Sequence, residues 1–395
     1  MLGIWRVSVK TLIESIPSIR KAKAGSILVG TGFIPLDLVY LDNAPNKFKA
    51  YAGGTCGNVL SILAFLGWES YPIARNDKSP ISEMIANDLE HCGVNTSLLS
   101  VKPTAAPPIV VQRIFSKPRG HKTHSFSWYC PGCGAHLPSY KAVVAKSLPD
   151  IEAEMPNPRV FFYDRVSRAA LDLAKRASDG GSIVVFEPSM IGEPKLFTEA
   201  LSSCHIFKYS QDRISNINDL RSTSQPPIEI ETLGSAGLRY RLRKNKWVEL
   251  RAYSLPKVVD TSGAGDWFTA GVLHGTCQQG RDGLLKISDA MLRRAIKVGQ
   301  AMATWNCQFP AARGGMYGAT WEEWRDNIDY VLQHGSPAAE TEQLETGGSP
   351  EVLRGICCDK RGKLNQENSS QKRQISSGHC MTVHQGGDLG KALSR

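Results

Sequence analysis

A parallel β-sheet covered by helices is the fold this sequence predicts, on three observations. Short β-rich runs alternate with helical stretches near the N-terminus, the same rhythm resumes after residue 160, and 395 residues that are 42% hydrophobic can bury a full core. One α/β domain of about 300 residues with smaller attachments follows.

Residues 26–30 (SILVG) and 36–41 (LDLVYL) read as strands, and 58–66 and 80–91 as helices, each with the apolar period of its type. After a proline-rich connection, 109–115 (IVVQRIF) and 125–129 (SFSWY) read as two strands joined by the hydrophilic KPRGHKTH, a hairpin suited to a small flap. From residue 160 the rhythm runs through VFFYD, a helix around 169–177, SIVVFE at 182–187, HIFKY at 205–209 and IEIETLG at 228–234. Residues 239–243 and 247–250 form a hairpin across Lys244, Asn245 and Lys246 by the same reading. Helical patterns follow at 264–275, 291–305 and 321–334. Beyond about residue 336 the apolar period stops and Gly, Ser, Gln and charge dominate. Residues 1–24 therefore read as an N-terminal extension, 25–335 as the domain and 336–395 as a disordered tail.

Composition excludes several function classes. No uninterrupted apolar run approaches the roughly 20 residues of a membrane span. The opening MLGIWRVSVKTLIESIPSIRKAKAG lacks the apolar block and small-residue cleavage site of a secretory signal. No membrane partner is expected, and the expected compartment is the cytoplasm. The formal charge of +10 is spread along the chain without a basic block, which argues against a nucleic-acid arm. Such charge suits anionic small ligands such as nucleotides, and a merely solvated surface accounts for it equally well. The ten cysteines are scattered, and only Cys130 and Cys133 form a motif.

Between Asp260 and Asp266 the chain reads DTSGAGD and continues as WFTAGVLHG, so a loop of small residues opens an apolar helix near Gly263. Glycines let the backbone approach a ligand, and the amides of Gly263, Ala264 and Gly265 at the positive end of that helix can hold a phosphoryl oxygen. Asp266 falls in the first helical turn beside that anion. A carboxylate there either complements the helix dipole or accepts the proton of an attacking hydroxyl in phosphoryl transfer.

The segment resembles the D-T-x-G-A-G-D signature of the PfkB (ribokinase-like) family of carbohydrate kinases. A second element of that family, G-G-x-x-x-N opening a helix, is matched by Gly53, Gly54, Thr55, Cys56, Gly57 and Asn58, in the family's order along the chain. The resemblance covers residues 25–318. It implies a three-layer αβα sandwich with a central, mostly parallel sheet and a small β lid at about 105–135, ATP and Mg²⁺ as co-substrates, and in-line transfer with Asp266 as base and the Gly263, Ala264 and Gly265 amides as anion hole. By the same resemblance Asp37 is the substrate-hydroxyl ligand, and Gly53, Gly54 and Asn58 form the sugar-contacting turn. Asp37 interrupts an otherwise apolar strand, where a carboxylate with no role would sit at the strand edge facing water. Thr232, Leu233, Gly234, Ser235, Ala236 and Gly237 resemble a T-L-G-x-x-G strand end bordering the nucleotide, although such glycines also serve ordinary turns. Asp260 and Ser262 resemble positions that bind a monovalent cation such as K⁺ in some members.

The chain departs from the family in three places. Where many relatives carry N-x-x-E it reads Ser210, Gln211, Asp212, Arg213, so that Asp212 stands in for the carboxylate or Lys208 and Arg213 meet the phosphates as cations. The usual F-D-x-N is Phe186, Glu187, Pro188, Ser189. Cys130 and Cys133, with their glycines, make a knuckle-like turn that could share a Zn²⁺. A closed site needs four ligands, and His121, His124, His136, Cys357 and Cys358 are the further candidates. The expected acceptor is a sugar. The rivals are a nucleoside, read through its ribose by the same residues, and a regulatory protein built on the kinase fold; a homodimer is among the assemblies open to it.

Overall fold

The computed structural model describes residues 18–338 except 42–43, 101–104, 117–121, 216, 218–224 and 318. The expected tail beyond 338 and the extension up to 17 lie outside the described residues. Twelve strands are described: β1 (Ile27–Thr31), β2 (Leu36–Leu41), β3 (Ala44–Ala52), β4 (Glu69–Ile73), β5 (Ile109–Ser116), β6 (Lys122–Ser127), β7 (Val160–Tyr163), β8 (Ile183–Phe186), β9 (Ile206–Ser210), β10 (Ile228–Thr232), β11 (Leu238–Leu242) and β12 (Val248–Leu250). Between and after them run α1 (Gly54–Phe65), α2 (Pro80–His91), α3 (Leu148–Glu154), α4 (Arg168–Asp179), α5 (Pro194–Ser203), α6 (Ala264–Thr276), α7 (Gly280–Leu285), α8 (Asp289–Asn306) and α9 (Trp321–His334).

Eight strands form the central sheet in the order β12-β11-β10-β9-β8-β7-β1-β4, parallel from β10 to β4 and antiparallel at the β11 and β12 edge. Alternate residues of its strands enter two cores. Leu28, Val160 and Phe162 pack under α1, α6, α8 and α9, while Val29, Phe161 and Tyr163 pack under α3, α4 and α5. Burial on both faces is why these strands read as continuous apolar runs, and it makes the expected three-layer αβα sandwich. Residues 18–24, assigned to the extension, lie against this domain: Ile19 is buried, and the Ala22 amide donates to Leu66 O at 2.8 Å.

A second sheet, β3-β2-β5-β6, is the lid. The hairpin expected at 109–129 is β5 and β6, paired Val111 to Ser127, with Trp128 and Tyr129 exposed beyond its end. The lid is larger than the sequence reading allowed, because residues 36–41, read there as part of the βα alternation, belong to it as β2, and β3 was not foreseen. The cause is connection length. Only residues 32–35 separate β1 from β2, whereas parallel neighbours in one sheet need a crossover of about a dozen residues. β2 therefore cannot be a parallel neighbour of β1; it pairs instead with β3 and β5, and it carries Asp37 over the domain with it.

Candidate active site

Strands β1, β7, β8, β9 and β10 all end on one side, and the residues that follow them, Asp164, Glu187, Gln211 and Leu233 among them, line that edge. It is the edge where open α/β sheets bind ligands. α6 points its N-terminus there. Its N-cap, Gly263, has φ +73°, and a Cβ at this position would lie 2.1 Å from Ala312 O, so the turn is closed to any other residue. The Ala264 amide donates to Thr261 O at 3.2 Å, a turn bond at the long end of the range.

Asp266, in the first turn of α6, is only 8% exposed and accepts a hydrogen bond from Asn58 Nδ2 at 2.7 Å. Burial, and next the nearby Glu187 carboxylate, push its pKa up to about 7 against the pull of Asn58, Lys208 and Arg213. Asn58 Oδ1 is buried without a hydrogen-bond partner. Such an atom is rare in folded proteins and invites a donor. Beneath the turn, Lys208 pairs with Glu187 Oε1 and donates to Gly265 O at 3.3 Å, while Thr269 Oγ1 donates to Glu187 Oε2 at 2.6 Å. Lys208, considered in the sequence as a phosphate-binding cation, is therefore buried against Glu187 and supports the turn from below. Arg213 and Asp212 are exposed on the turn after β9.

Asp37 reaches the same site from the lid. A Cβ on Gly53 would lie 1.7 Å from Asp37 Oδ2, so the backbone of the Gly53 turn sits directly against the carboxylate. Asp37 is partly buried and does not face open water as a strand-edge carboxylate would. Burial pushes its pKa up to about 7, Arg313 and the Gly54 amide pull it down, and Asp266 and Asp88 push it up further. The fold thus brings together Asp37, Gly53, Gly54, Asn58 and Asp266 from β2, the start of α1 and α6. Gly53→Ala is expected to lower kcat/KM for the acceptor about a hundredfold, the effect of an ångström-scale displacement, with the nucleotide KM unchanged. Steady-state kinetics varying each substrate in turn would measure it.

Two residues here escaped the sequence reading. Asp164, closing β7, accepts from the amides of Phe33 at 2.8 Å and Cys56 at 3.3 Å and meets Arg165 at 3.3 Å, which ties the β1–β2 connection to the start of α1. Burial, opposed by Arg165, pushes it up to about 6. Its signal was legible, since it ends an apolar strand as Asp37 interrupts one. Arg313 had no such signal. It is 2% exposed and donates to Ser61 Oγ, to Ala52 O at 2.7 Å and to Asp88 Oδ2 at 2.5 Å, behind Asp37.

The expected nucleotide edge lies at the end of β10. Thr232 closes the strand, Gly234 opens an exposed single 3₁₀ turn, and Gly237 leads into β11. The cation expected at Asp260 and Ser262 does not fit as drawn. Asp260 Oδ1 accepts from the Ser262 amide at 2.9 Å and meets His124 Nδ1 at 3.2 Å, while Oδ2 accepts from Gln112 Nε2 and the Ala311 amide, both at 3.0 Å. Three N–H donors and the His124 imidazole thus crowd the roughly four acceptor positions of the carboxylate. For zinc, no group of three or more His, Cys, Asp or Glu that could hold a metal occurs among the described residues. Cys130 and Cys133 form a tight turn in which the Gly134 amide donates to Cys130 O at 2.8 Å; His121, Cys357 and Cys358 lie outside the described residues.

A glycine turn at the N-terminus of a buried helix thus meets the Asp266 and Asp37 carboxylates at the edge of an αβα sandwich where open α/β sheets bind ligands. Residues 217–316 match the model of the pfkB family carbohydrate kinases. The chain is 26% identical over 288 residues, 66% of its length and 70% of the relative's, to a probable chloroplastic fructokinase-6 of Arabidopsis thaliana. Its fold superposes on the aminoimidazole riboside kinase of Salmonella enterica, solved with aminoimidazole riboside and an ATP analog, with TM-score 0.54 and 21% identity over 78% of this chain and 99% of that one. The ATP-bound fructokinase of Xylella fastidiosa superposes with TM-score 0.60 and 15% identity over 78% of this chain and 100% of that one.

Proposed function

We propose that this protein transfers the γ-phosphoryl group of ATP to a hydroxyl of a sugar or sugar-like small molecule, with Asp266 as general base. The observation that carries the reading is the pairing of Asp266 with Asn58, whose Oδ1 is left buried and without a donor beside a carboxylate raised to about 7. A hydroxyl entering there gives Asp266 a proton to accept, and a base works best with a pKa near the working pH. The Gly263, Ala264 and Gly265 amides, at the positive end of α6, take up charge developing on the transferred group; the phosphoryl oxygens outcompete Thr261 O for the Ala264 amide. Asp37, aligned by Gly53 and Gly54, accepts protons from neighbouring hydroxyls of the acceptor. Thr232, Gly234 and Gly237 border the nucleotide. Mg²⁺ would arrive on the nucleotide's phosphates, a mode that needs only one or two carboxylates, and would neutralise phosphate charge; Asp212 is the exposed carboxylate in reach of that edge.

Because the base acts ionised, kcat/KM should rise with pH and level off above about 7, with an apparent midpoint belonging to Asp37 and Asp266 together. A profile that is flat through neutrality contradicts this assignment. The test of the activity itself is a coupled ADP-release screen of purified protein with Mg·ATP against a panel of sugars and nucleosides. Turnover of one sugar, lost in Asp266→Asn, is the expected result. Turnover confined to nucleosides would favour a base stacked on the exposed Trp128 or Tyr129, and silence across the panel with ATP still bound would favour the regulatory alternative. No described helix is long and apolar enough to cross a membrane. Cytoplasmic residence is part of the proposal, and a fluorescent fusion found in plastids would overturn it.

A further inference from the structure

The lid is fastened to the loop that leads into α6. Gln112, from the middle of β5 and 1% exposed, donates Nε2 to Asp260 Oδ2 at 3.0 Å and to Ser262 Oγ at 2.6 Å. Two acceptors at that atom fix the orientation of the amide. His124, on β6, sets its Nδ1 3.2 Å from the other Asp260 oxygen. The remaining acceptor positions of Asp260 take the backbone amides of Ser262 and Ala311. Ala311 in turn packs with Val39 and Ile114 of the lid, and Ser262 O and Ala312 O both receive Asn306 Nδ2, at 3.3 and 3.1 Å. Both sides of the loop are therefore filled by protein donors: lid residues on the carboxylate, a residue of α8 on the carbonyls.

We propose that Gln112 and His124 are positioning residues that stand where a monovalent cation would otherwise sit at Asp260, so that seating the lid, with no bound ion, orders the Ser262–Asp266 turn. A cation would have to strip N–H donors from a buried carboxylate to bind, and Gln112, 1% exposed, would lose its partner away from water. The turn it orders begins two residues on and ends in Asp266, so closing the lid over an acceptor and shaping the anion hole become one event.

The idea leans on the kinase reading only for its rate measurements; its first test needs no turnover. The full chain is melted in potassium chloride and in tetramethylammonium chloride at matched ionic strength. Equal melting temperatures for the wild type are expected, and a rise specific to potassium overturns the proposal. Gln112→Ala frees Asp260 Oδ2 and should acquire a potassium-specific rise that the wild type lacks; a variant that folds and shows none also overturns it. His124→Ala, at a partly exposed position, provides the same comparison should Gln112→Ala fail to fold. In kinetics, both variants should lose roughly tenfold to a hundredfold in kcat, at or below the loss expected for one anion-hole donor, with much of it recovered by potassium. His124→Asn, which keeps a donor, should stay insensitive to potassium. Purely structural damage would lower the rate without making it depend on the cation.

Discussion

Asp266→Asn is expected to lower kcat by about 10²- to 10⁴-fold while leaving the KM for ATP nearly unchanged. Asparagine keeps the shape and an oxygen for Asn58 Nδ2, and loses only the capacity to accept a proton. A drop of less than about tenfold in kcat would remove Asp266 as the base. The same substitution should raise stability. In the fold the pKa of Asp266 is raised from 3.8 to about 7, so its protonated form is favoured. The stabilisation it contributes is complete below its unfolded pKa and is lost as pH rises through about 7. At pH 8 the buried carboxylate is a liability, and Asp266→Asn should be more stable than the wild type by about 1–4 kcal/mol, with the gap closing towards pH 4. Denaturant melts at the two pH values would show it, and a variant less stable at both would contradict the burial argument. A gain of stability with a loss of rate is the trade-off expected of a strained catalytic group.

Arg313→Met should destabilise the ligand-free protein by about 3–5 kcal/mol, among the largest effects available to one side chain here. The guanidinium is 2% exposed and satisfies Ala52 O, Asp88 Oδ2 and Ser61 Oγ together. Methionine fills much of the space and leaves those acceptors, one of them a carboxylate, without it. Asp88 keeps only the Ala52 amide at 2.8 Å. Adding Asp88→Asn to Arg313→Met removes the uncompensated charge and should recover a substantial share of the loss; a double variant no better than the single would mean that packing, rather than charge, dominates. A functional consequence goes with it. Arg313 opposes the upward push of burial on Asp37, so without it the Asp37 pKa should climb above about 7 and the KM for the acceptor should rise at neutral pH. Raising the pH should restore part of that affinity in Arg313→Met and change the wild type less.

Most of what is local in this molecule was legible in the chain. The helices read at 80–91 and 321–334 are α2 and α9 to the residue, because each begins at a capping side chain, Ser79 or Thr320, and ends where the apolar period stops. The DTSGAGD turn was readable for the same reason: Gly263 sits where φ is positive, and Asp266 follows it by helical spacing. The strands of the central sheet were readable as buried runs. What escaped depends on partners far away in the chain. β2 looks like any other strand of the alternation, and only its pairing with β3 and β5 shows that it joins the lid. Lys208 looked free to meet a phosphate, and packing turned it towards Glu187. Arg313 carried no local mark at all.

The sequence by itself determined the α/β class, the order of its elements and the glycine turn that opens α6 with its carboxylate, since these follow from apolar period, capping and backbone sterics acting over a few residues. The tertiary structure alone decided that Asp37 and Asn58 converge on Asp266, that Arg313 stands behind Asp37, and that lid residues Gln112 and His124 close on Asp260. Those outcomes are set by which surfaces bury one another and by how each buried polar group finds a partner, and such pairings form between residues more than a hundred positions apart.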